Sequence, residues 1–205
     1  MKKIIIIGAG GFGKEVAWTI QRINQGSPTF ELLGFCDDAA EKQQGLFYGM
    51  PLLGSVAEAM QTQRDAGFMC AIGNNRVRET IVERLKAHGC RCETLIDPAA
   101  HVAPDVVIGE GCFVGIGSIV SVGAVVGCGV IVNSQSTVGH DVVLGDYAQL
   151  CPGVRLSGHC TIGRGVLFGT NAGTVPGRRI GDWATIGAGT VALRHVAAGQ
   201  TLMRI

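Results

Sequence analysis

Short apolar runs alternate with longer amphipathic segments over the first part of the chain. The runs KIIIIG, ELLGFCD, GFMCAIG and CETLI predict buried strands, and helical spacing predicts helices over Phe12–Asn24, Val56–Arg64 and Arg76–His88. Strands and helices that alternate in this way form a parallel sheet covered by helices. The pattern therefore predicts an α/β domain over residues 1–97.

From Val102 onward the helical spacing disappears, and a period of six replaces it. An apolar residue recurs at Val102, Ile108, Val114, Val120, Val126, Val132, Val138, Leu144, Leu150, Leu156, Ile162, Phe168, Ile180 and Ile186, with Thr174 as the one interruption. Four positions after each of these stands a small or branched residue, except at Arg178. One large and one small inward side chain per six residues form one short face of a parallel β-helix, predicted over residues 98–205.

A β-sandwich is the alternative architecture for this second part. Its strands alternate with a period of two, which gives no reason to hold a six-residue phase over some ninety residues. The constant phase favours the β-helix.

The amino-acid composition is typical of a repeat protein, and the charge balance argues against some classes of partner. The chain has 32 glycines and 5% aromatic residues, which indicates many repeated turns. Seventeen basic and sixteen acidic residues without a basic run argue against nucleic acid or membrane partners. Eight cysteines without a C-x-x-C pair, and a start that lacks a signal-peptide pattern, predict a cytoplasmic location.

The hexads resemble those of the hexapeptide-repeat acyltransferases. That resemblance implies a left-handed β-helix with three-faced coils of eighteen residues, hence five coils from fifteen hexads, and a homotrimer. The segment VNSQSTVGHDVVLGDYAQLCPGVRLSGHCTIG is similar to the catalytic coils of bacterial sugar acetyltransferases, among them UDP-4-amino-sugar N-acetyltransferases and sialic acid O-acetyltransferase-like proteins. The matching positions carry Asn133, His140, Asp141 and Gly158.

With coils of eighteen, Gly158 lies one coil above His140, which sits at a corner and faces outward. A base beneath a bare peptide N–H suits acyl transfer. The resemblance implies that His140 is the general base, that Asp141 orients it and that the Gly158 N–H binds the acetyl carbonyl. Adjacent residues on a flat strand point apart, so the His140–Asp141 pair requires corner geometry. The alternative is a polar turn histidine without a catalytic role.

One residue departs from the family pattern, and the spacing of the histidines bears on a zinc site as the alternative chemistry. Gln149 stands where some members carry a second histidine, which argues against a two-histidine mechanism. Some hexapeptide-repeat proteins resemble γ-class carbonic anhydrases with three zinc-binding histidines. His140 and His159 lie nineteen residues apart, one more than the coil length, so the sequence predicts no metal site.

The N-terminal part contains a glycine motif. Gly8, Gly10 and Gly13 follow a strand and open a helix with the spacing G-x-G-x-x-G, a Rossmann-like arrangement that binds phosphates. Asp37 and Asp38 end the next strand and are placed to accept hydrogen bonds from a ribose. The alternatives are a plain tight turn and an NAD site, although one βαβαβ half suits a mononucleotide better.

A second group of polar residues follows the third strand. Gly73, Asn74 and Asn75 lie at the same ligand-facing edge, where the resemblance implies contacts with the nucleotide of a nucleotide sugar. Asn74 is equally consistent with a helix N-cap.

The last coils, TVPGRRIGDWATIGAGTV, resemble those that line the CoA site between two subunits. The resemblance implies that Arg178 and Arg179 meet CoA phosphates and that Gly169 and Gly187 contact the pantetheine arm. A plain trimer surface is the alternative. The tail HVAAGQTLMRI lacks the G-x-P-A ending common in these enzymes, which removes the adenine contacts of that ending from the prediction.

Together these features predict an acetyl-CoA-dependent N-acetyltransferase that acts on a nucleotide-linked amino sugar, with acetyl-CoA as cosubstrate and no metal. Three hypotheses compete with it: an O-acetyltransferase acting on a sugar such as sialic acid, a non-catalytic nucleotide-sugar-binding scaffold, and a nicotinamide oxidoreductase.

Overall fold

The computed structural model describes residues 1–42 and 44–203. The chain divides into two compact units, Met1–Pro98 and Ala99–Ile205. No helix in the described ranges is both long enough and apolar enough to cross a membrane.

The first unit is a parallel α/β fold. Its strands are β1 (Lys2–Ile7), β2 (Phe30–Cys36), β3 (Leu46–Phe47), β4 (Met50–Pro51), β5 (Gly67–Cys70), β6 (Arg91–Cys92) and β7 (Leu95–Ile96). Its helices are α1 (Gly11–Gly26), α2 (Val56–Thr62) and α3 (Asn75–Ala87), with a 3-10 turn at Ala40–Lys42. The main sheet has the order β2-β1-β5-β6 with parallel neighbours.

The predicted strands and helices of this unit are present, with small shifts of their ends. Ile4–Ile7 in β1 are buried, as expected of a central strand covered on both faces. The predicted fourth strand is divided in two, and only its first part, β6, joins the main sheet, whereas β7 does not. The antiparallel pair β3–β4 was not predicted, because it has two residues per strand and turns at Tyr48, which has a φ of 52°.

The second unit is a parallel β-helix built from two-residue strands. These are β8 (His101–Val102), β9 (Val107–Ile108), β10 (Phe113–Val114), β11 (Ile119–Val120), β12 (Val125–Val126), β13 (Ile131–Val132), β14 (Thr137–Val138), β15 (Val143–Leu144), β16 (Gln149–Leu150), β17 (Arg155–Leu156), β18 (Thr161–Ile162), β19 (Leu167–Phe168), β20 (Gly173–Thr174), β21 (Arg179–Ile180), β22 (Thr185–Ile186), β23 (Val191–Ala192) and β24 (Thr201–Leu202).

Every third strand stacks on its predecessor, so the coil has three faces. Within the second unit, the strands of the three faces are β8-β11-β14-β17-β20-β23, β9-β12-β15-β18-β21 and β10-β13-β16-β19-β22-β24. Val120 pairs with Val138, and Val138 pairs with Leu156, eighteen residues further on each time. This register confirms the predicted coil length. The β-helix runs for about six turns instead of the predicted five, because β23 and β24 both continue the stacking beyond the last predicted hexad.

The residues of the six-residue pattern form the core of this unit. The large apolar positions from Val114 to Phe168 are buried, and so are the small ones from Cys112 to Ala172. Thr174, the interruption, is also buried, and its hydroxyl accepts a hydrogen bond from the Ser157 N–H at 3.1 Å. A polar residue is tolerated there because its hydroxyl has a partner.

We expect the core phenylalanine Phe168 to carry a large share of the stability of the β-helix. It is fully buried and pairs with Leu150 and Ile186 in the coils below and above. Replacing it by alanine leaves a cavity that the stacked coils cannot close, and the free energy of unfolding should fall by about 3–5 kcal/mol. Urea unfolding followed by circular dichroism measures this change.

Val143→Ala is the matched control for this prediction. Val143 lies in a strand of the same β-helix but is 43% exposed. Its replacement should change the free energy of unfolding by no more than about 0.5 kcal/mol. Equal effects of the two substitutions would contradict the assignment of Phe168 to a close-packed core.

Candidate active site

His140 lies at the corner between β14 and β15 and points out of the coil. Its side chain is 54% exposed. Val122 precedes it by one coil and Gly158 follows it by one coil, so the three residues form a column along the corner. The prediction that the imidazole faces outward at a corner is confirmed.

Gly158 covers the imidazole closely. A Cβ atom on Gly158 would lie 2.4 Å from Nε2 and 2.5 Å from Cε1 of His140, which leaves no room for a side chain. In the described ranges, the Gly158 N–H has no hydrogen-bond acceptor, whereas its carbonyl accepts from the Gly177 N–H at 3.0 Å. The bare Cα of Gly158 thus faces Nε2 closely, and the backbone N–H of the same residue has no partner in the described ranges.

Asp141 holds the other nitrogen of the imidazole. Its φ of 58° is left-handed, so the two consecutive side chains turn toward each other, as the corner geometry requires. Nδ1 of His140 and Oδ2 of Asp141 are 2.8 Å apart. This hydrogen bond is the main cause that lowers the pKa of Asp141, and the charges of His159 and His140 lower it further. An ionised Asp141 keeps the proton on Nδ1 and leaves Nε2 free to accept one.

The structure adds His159, whose place the sequence analysis misjudged. His159 lies eighteen residues after Asp141 and therefore stacks on the carboxylate, not on the imidazole. Its Nδ1 is 3.6 Å from Oδ2 of Asp141, and its ring meets the His140 ring edge to face with centroids 4.8 Å apart. The argument that nineteen residues keep the two histidines apart was wrong, because adjacent corner residues share one site. Applying the coil length to Asp141 would have found this contact.

His140, Asp141 and His159 are also the residues best placed to hold a metal ion. In the described part of the chain, one potential ligand atom from each lies within 4.8 Å of the other two. Exposed groups of this kind commonly lie together without an ion.

Two further residues of the catalytic segment have local roles. Oδ1 of Asn133 accepts a hydrogen bond from the Ser134 N–H at 2.7 Å, and its carbonyl accepts from the Ser118 hydroxyl at 2.9 Å. Gln149 lies in β16, with Nε2 3.9 Å from Sγ of Cys151. Asn133 thus shapes the corner before His140, and a contact with cosubstrate remains a prediction.

A cavity of about 720 Å³ lies near the end of the β-helix and contains part of the segment predicted to meet CoA phosphates. Its lining includes Arg179, Arg194 and His195, with Asp182 among the other residues. Arg178 does not line this cavity; its Nε and Nη1 donate to the carbonyls of Pro176 and Leu193. Arg194, which lies outside the six-residue pattern and was not singled out from the sequence, also lines this cavity.

Gly169 and Gly187 have engaged backbone groups. Their N–H groups donate to the carbonyls of Ile186 and Leu202, each at 2.8 Å. A Cβ on Gly169 would lie 2.5 Å from the backbone nitrogen of Ala188, so close packing of coils requires glycine there. Their carbonyls accept from the N–H groups of Ala172 at 3.0 Å and Thr190 at 3.1 Å, so a contact with the pantetheine arm stays a prediction.

The glycine motif of the first unit has the expected strand–turn–helix context. Gly8 has a φ of 107°, and a Cβ on Gly13 would lie 2.2 Å from the Gly8 carbonyl oxygen. Gly10 is the N-cap of α1 and has open space around its Cα. Gly8 and Gly13 thus serve the turn and the packing of helix on strand, whereas a phosphate at the open space around Gly10 stays a prediction.

Asp37 and Asp38 already have backbone partners. Oδ2 of Asp37 accepts from the Ala9 N–H at 2.9 Å, and its Oδ1 accepts from the Ala39 N–H at 3.0 Å. Oδ1 of Asp38 accepts from the Val56 N–H at 2.9 Å, at the start of α2. Their first role is to hold the glycine turn and the next helix, and a bond to ribose would use their remaining lone pairs.

The asparagines after β5 also have structural partners. Asn74 is the N-cap of α3, and its Oδ1 accepts from the N–H groups of Arg76 and Val77. Asn75 is buried, and its Oδ1 accepts from Nη2 of the buried Arg78 at 3.1 Å. Gly73 is exposed. The N-cap interpretation of Asn74 is thus confirmed, and Asn75 is directed into the fold.

The chain is similar to a known protein family and to a curated acetyltransferase. Residues 3–85 match the PglD N-terminal domain. UDP-N-acetylbacillosamine N-acetyltransferase of Bacillus subtilis is 36% identical over 117 residues, which are 56% of this chain and 51% of that protein. The aligned part of the chain thus spans about half the length of this curated relative.

Solved structures match nearly the whole chain. The acetyltransferase domain of PglB from Neisseria gonorrhoeae, in complex with acetyl coenzyme A, is 35% identical with a TM-score of 0.91, covering 99% of this chain and 96% of that one. Perosamine N-acetyltransferase from Caulobacter crescentus, in complex with CoA and GDP-perosamine, is 27% identical with a TM-score of 0.91, covering 100% and 94%.

Proposed function

Because this chain belongs to the family of hexapeptide-repeat sugar N-acetyltransferases, we propose that it transfers the acetyl group of acetyl-CoA to an amino group of a nucleotide-linked sugar. The observation that carries this proposal is the column of His140 beneath Gly158, with Asp141 bonded to Nδ1. A free Nε2 beside an unpaired N–H is the pair of groups that acyl transfer to an amine needs.

The reaction requires one proton to move through His140. The amine nitrogen attacks the thioester carbonyl, a C–N bond forms, and the carbonyl electron pair moves onto oxygen, where the Gly158 N–H stabilises the charge. Nε2 of His140 accepts the proton that the nitrogen loses. The C–S bond then breaks, and the leaving sulfur takes that proton from the imidazolium. The products are an acetamido sugar and free CoA thiol.

Asp141 supports this step in two ways. Its hydrogen bond to Nδ1 fixes the tautomer and the orientation of the ring, and its negative charge stabilises the imidazolium that forms. Because the carboxylate is half-exposed, its contribution is screened by water, and orientation is its larger effect.

The first unit supports a nucleotide sugar as acceptor. Gly10 leaves open space at the N-terminus of α1, where backbone N–H groups favour a phosphate. The relatives are named for UDP- and GDP-linked amino sugars, which supports an amine over a hydroxyl as the acceptor. An O-acetyltransferase and a non-catalytic nucleotide-sugar scaffold are the alternatives.

Assembly and location belong to the same proposal. The family resemblance supports a homotrimer in the cytoplasm. Light scattering coupled to size-exclusion chromatography should give three times the protomer mass of 21.3 kDa. A monomeric mass would contradict the trimer.

A thiol-release assay with acetyl-CoA tests the proposed activity. The acceptors are UDP-, GDP- and dTDP-linked amino sugars, with free sialic acid as the hydroxyl acceptor. We expect release with at least one amino sugar and an acetamido product by mass spectrometry. Release with sialic acid alone would favour the O-acetyltransferase. No release with any acceptor, or binding of NADH without CoA, would contradict the proposal.

A further inference from the structure

The first unit contains a cavity of about 450 Å³ that neither the fold nor the candidate active site accounts for. It is lined by residues of α2, of the end of α3 and of the segments that follow these helices. Arg64, Arg84, His88 and Cys90 supply polar groups to its wall, and Ala57 and Met60 supply apolar ones.

The cavity lies at a different place in the fold from the glycine motif. The sheet order β2-β1-β5-β6 reverses direction after β2, so right-handed crossovers put α1 on one face of the sheet and α2 and α3 on the other. The glycine motif and Asn74 follow the ends of β1 and β5, whereas Arg64 and Cys90 come just before β5 and β6 begin. Because the strands are parallel, these are opposite edges of the sheet. The cavity is therefore separate from the predicted nucleotide site.

The wall of the cavity carries positive charge without a matching carboxylate. Arg64 and Arg84 line it, and no aspartate or glutamate of the described residues does so. Glu83, the neighbour of Arg84 in α3, lies 3.8 Å from Nζ of Lys86 instead. The Cys90 thiol adds no negative charge, because partial burial raises its pKa. The cavity therefore favours an anion.

Two nitrogens of Arg84 are buried without an acceptor. Nε and Nη2 are shielded from solvent and have no hydrogen-bond partner within residues 1–42 and 44–203. Charged donors that are buried unpaired cost free energy, so an acceptor that reaches them is bound favourably. Nε and Nη2 form one edge of the planar guanidinium, and two parallel N–H groups on such an edge match two oxygens of a phosphate.

His88 stands at the same wall. Its Nδ1 lies 2.8 Å from the carbonyl oxygen of Arg84, one helical turn earlier. Because a carbonyl only accepts, Nδ1 is the donor in this bond, and Nε2 is the ring nitrogen left for a ligand. Ala57 and Met60 add apolar surface to the wall. The cavity thus combines an anion-binding part with room for a small organic body.

We propose that this cavity binds the phosphate group of a small organic phosphate, held by Arg84 and Arg64, as a site separate from the candidate active site. The inference does not rest on the proposed function, since it uses none of the residues assigned to acetyl transfer. A phosphate suits the site better than a carboxylate, because it offers two oxygens to the edge of Arg84 and a third to Arg64. On binding, Arg84 turns its Nε–Nη2 edge toward the phosphate, and both nitrogens gain acceptors.

NMR titration of the full chain with inorganic phosphate tests the site at constant ionic strength. The signals of the Arg84 Nε–H and the His88 ring report on the cavity, and the Gly10 N–H reports separately on the glycine turn. We expect saturable shifts at Arg84 and His88 with one common Kd. No saturable shift at Arg84 up to about 10 mM phosphate, or a shift at Gly10 alone, would overturn the proposal, since two guanidinium contacts should give at least millimolar affinity.

Substitutions of the cations show whether they hold the phosphate. Arg84→Gln should raise the Kd measured at His88 by about tenfold or more, because it removes charge-assisted hydrogen bonds. Arg64→Gln changes an exposed side chain that the fold does not need, and should raise the Kd by about threefold or more. This second variant keeps the test decisive if Arg84→Gln does not fold.

Lys86→Gln is the matched control. It removes one positive charge from the same helix, but Lys86 does not line the cavity. The Kd should stay within about twofold of that of the unsubstituted protein, as expected for an exposed charge outside the site. Equal weakening in Lys86→Gln and Arg84→Gln would mean that only the net charge of the unit attracts phosphate, and the proposal would be wrong.

A second titration with phenyl phosphate distinguishes an organic phosphate from the free ion. Its ring can contact the apolar wall at Ala57 and Met60, so we expect a lower Kd than for inorganic phosphate. Equal or weaker binding of phenyl phosphate would overturn the assignment to an organic phosphate and leave inorganic phosphate as the ligand.

Discussion

Replacing His140 by alanine should lower kcat/KM for acetyl transfer by about 10²–10⁴-fold, the usual contribution of a general base. The substitution removes the imidazole whose Nε2 lies under the bare Cα of Gly158. The side chain is half-exposed and outside the core, so the free energy of unfolding should change by no more than about 0.5 kcal/mol. Thiol release and urea unfolding measure the two quantities.

Val122→Ala is the matched control for His140. Val122 occupies the same corner position one coil below and is also exposed. Its backbone carbonyl accepts the Asp141 N–H, and this bond survives the substitution. The control should lose less than about twofold in kcat/KM, as expected for a surface change away from the reacting atoms. Equal losses in the two variants would show that shape, and not the imidazole, governs the rate.

Replacing Gly158 by alanine should lower kcat/KM by about 10²-fold or more. The added methyl group would lie 2.4 Å from Nε2 and 2.5 Å from Cε1 of His140, so the exposed imidazole must rotate away. Displacing a catalytic group by about 1 Å is enough for a loss of this size. The fold should survive, because the imidazole and not the backbone yields to the methyl group.

A double-mutant cycle separates the two causes of this loss. In the His140→Ala background there is no imidazole to displace, so Gly158→Ala should cost far less than in the unsubstituted protein. A full additional 10²-fold loss there would mean that the methyl group blocks the thioester directly. In that case the contact between Gly158 and His140 is not the cause.

The sequence predicts the repeat of the second unit, including which residues of each hexad point inward. A six-residue period with one large and one small inward side chain admits one register, because a slip of one residue would expose Val138 and bury Thr137. Once the coil length is eighteen, stacking is a matter of counting along the chain, and Gly158 above His140 follows directly.

Counting in steps of eighteen residues gave the wrong result for His159, because two adjacent corner residues, His140 and Asp141, share one site. His159 was compared with His140 and found one residue out of register, although it stacks on Asp141. Whether adjacent side chains turn toward each other depends on backbone angles such as the φ of Asp141, and a residue type alone does not determine them.

The sequence by itself determined the six-residue repeat of a β-helix, since this depends only on a hydrophobic period. The coil of eighteen residues, from which the outward histidine and the glycine above it follow, came from the family resemblance. Tertiary structure decided how the polar side chains are used. Asp37 binds the Ala9 N–H, Asn75 binds the buried Arg78, and His159 joins the site of Asp141. The reason is physical: burial follows from a pattern along the chain, whereas a hydrogen bond depends on two atoms that folding brings within about 3 Å.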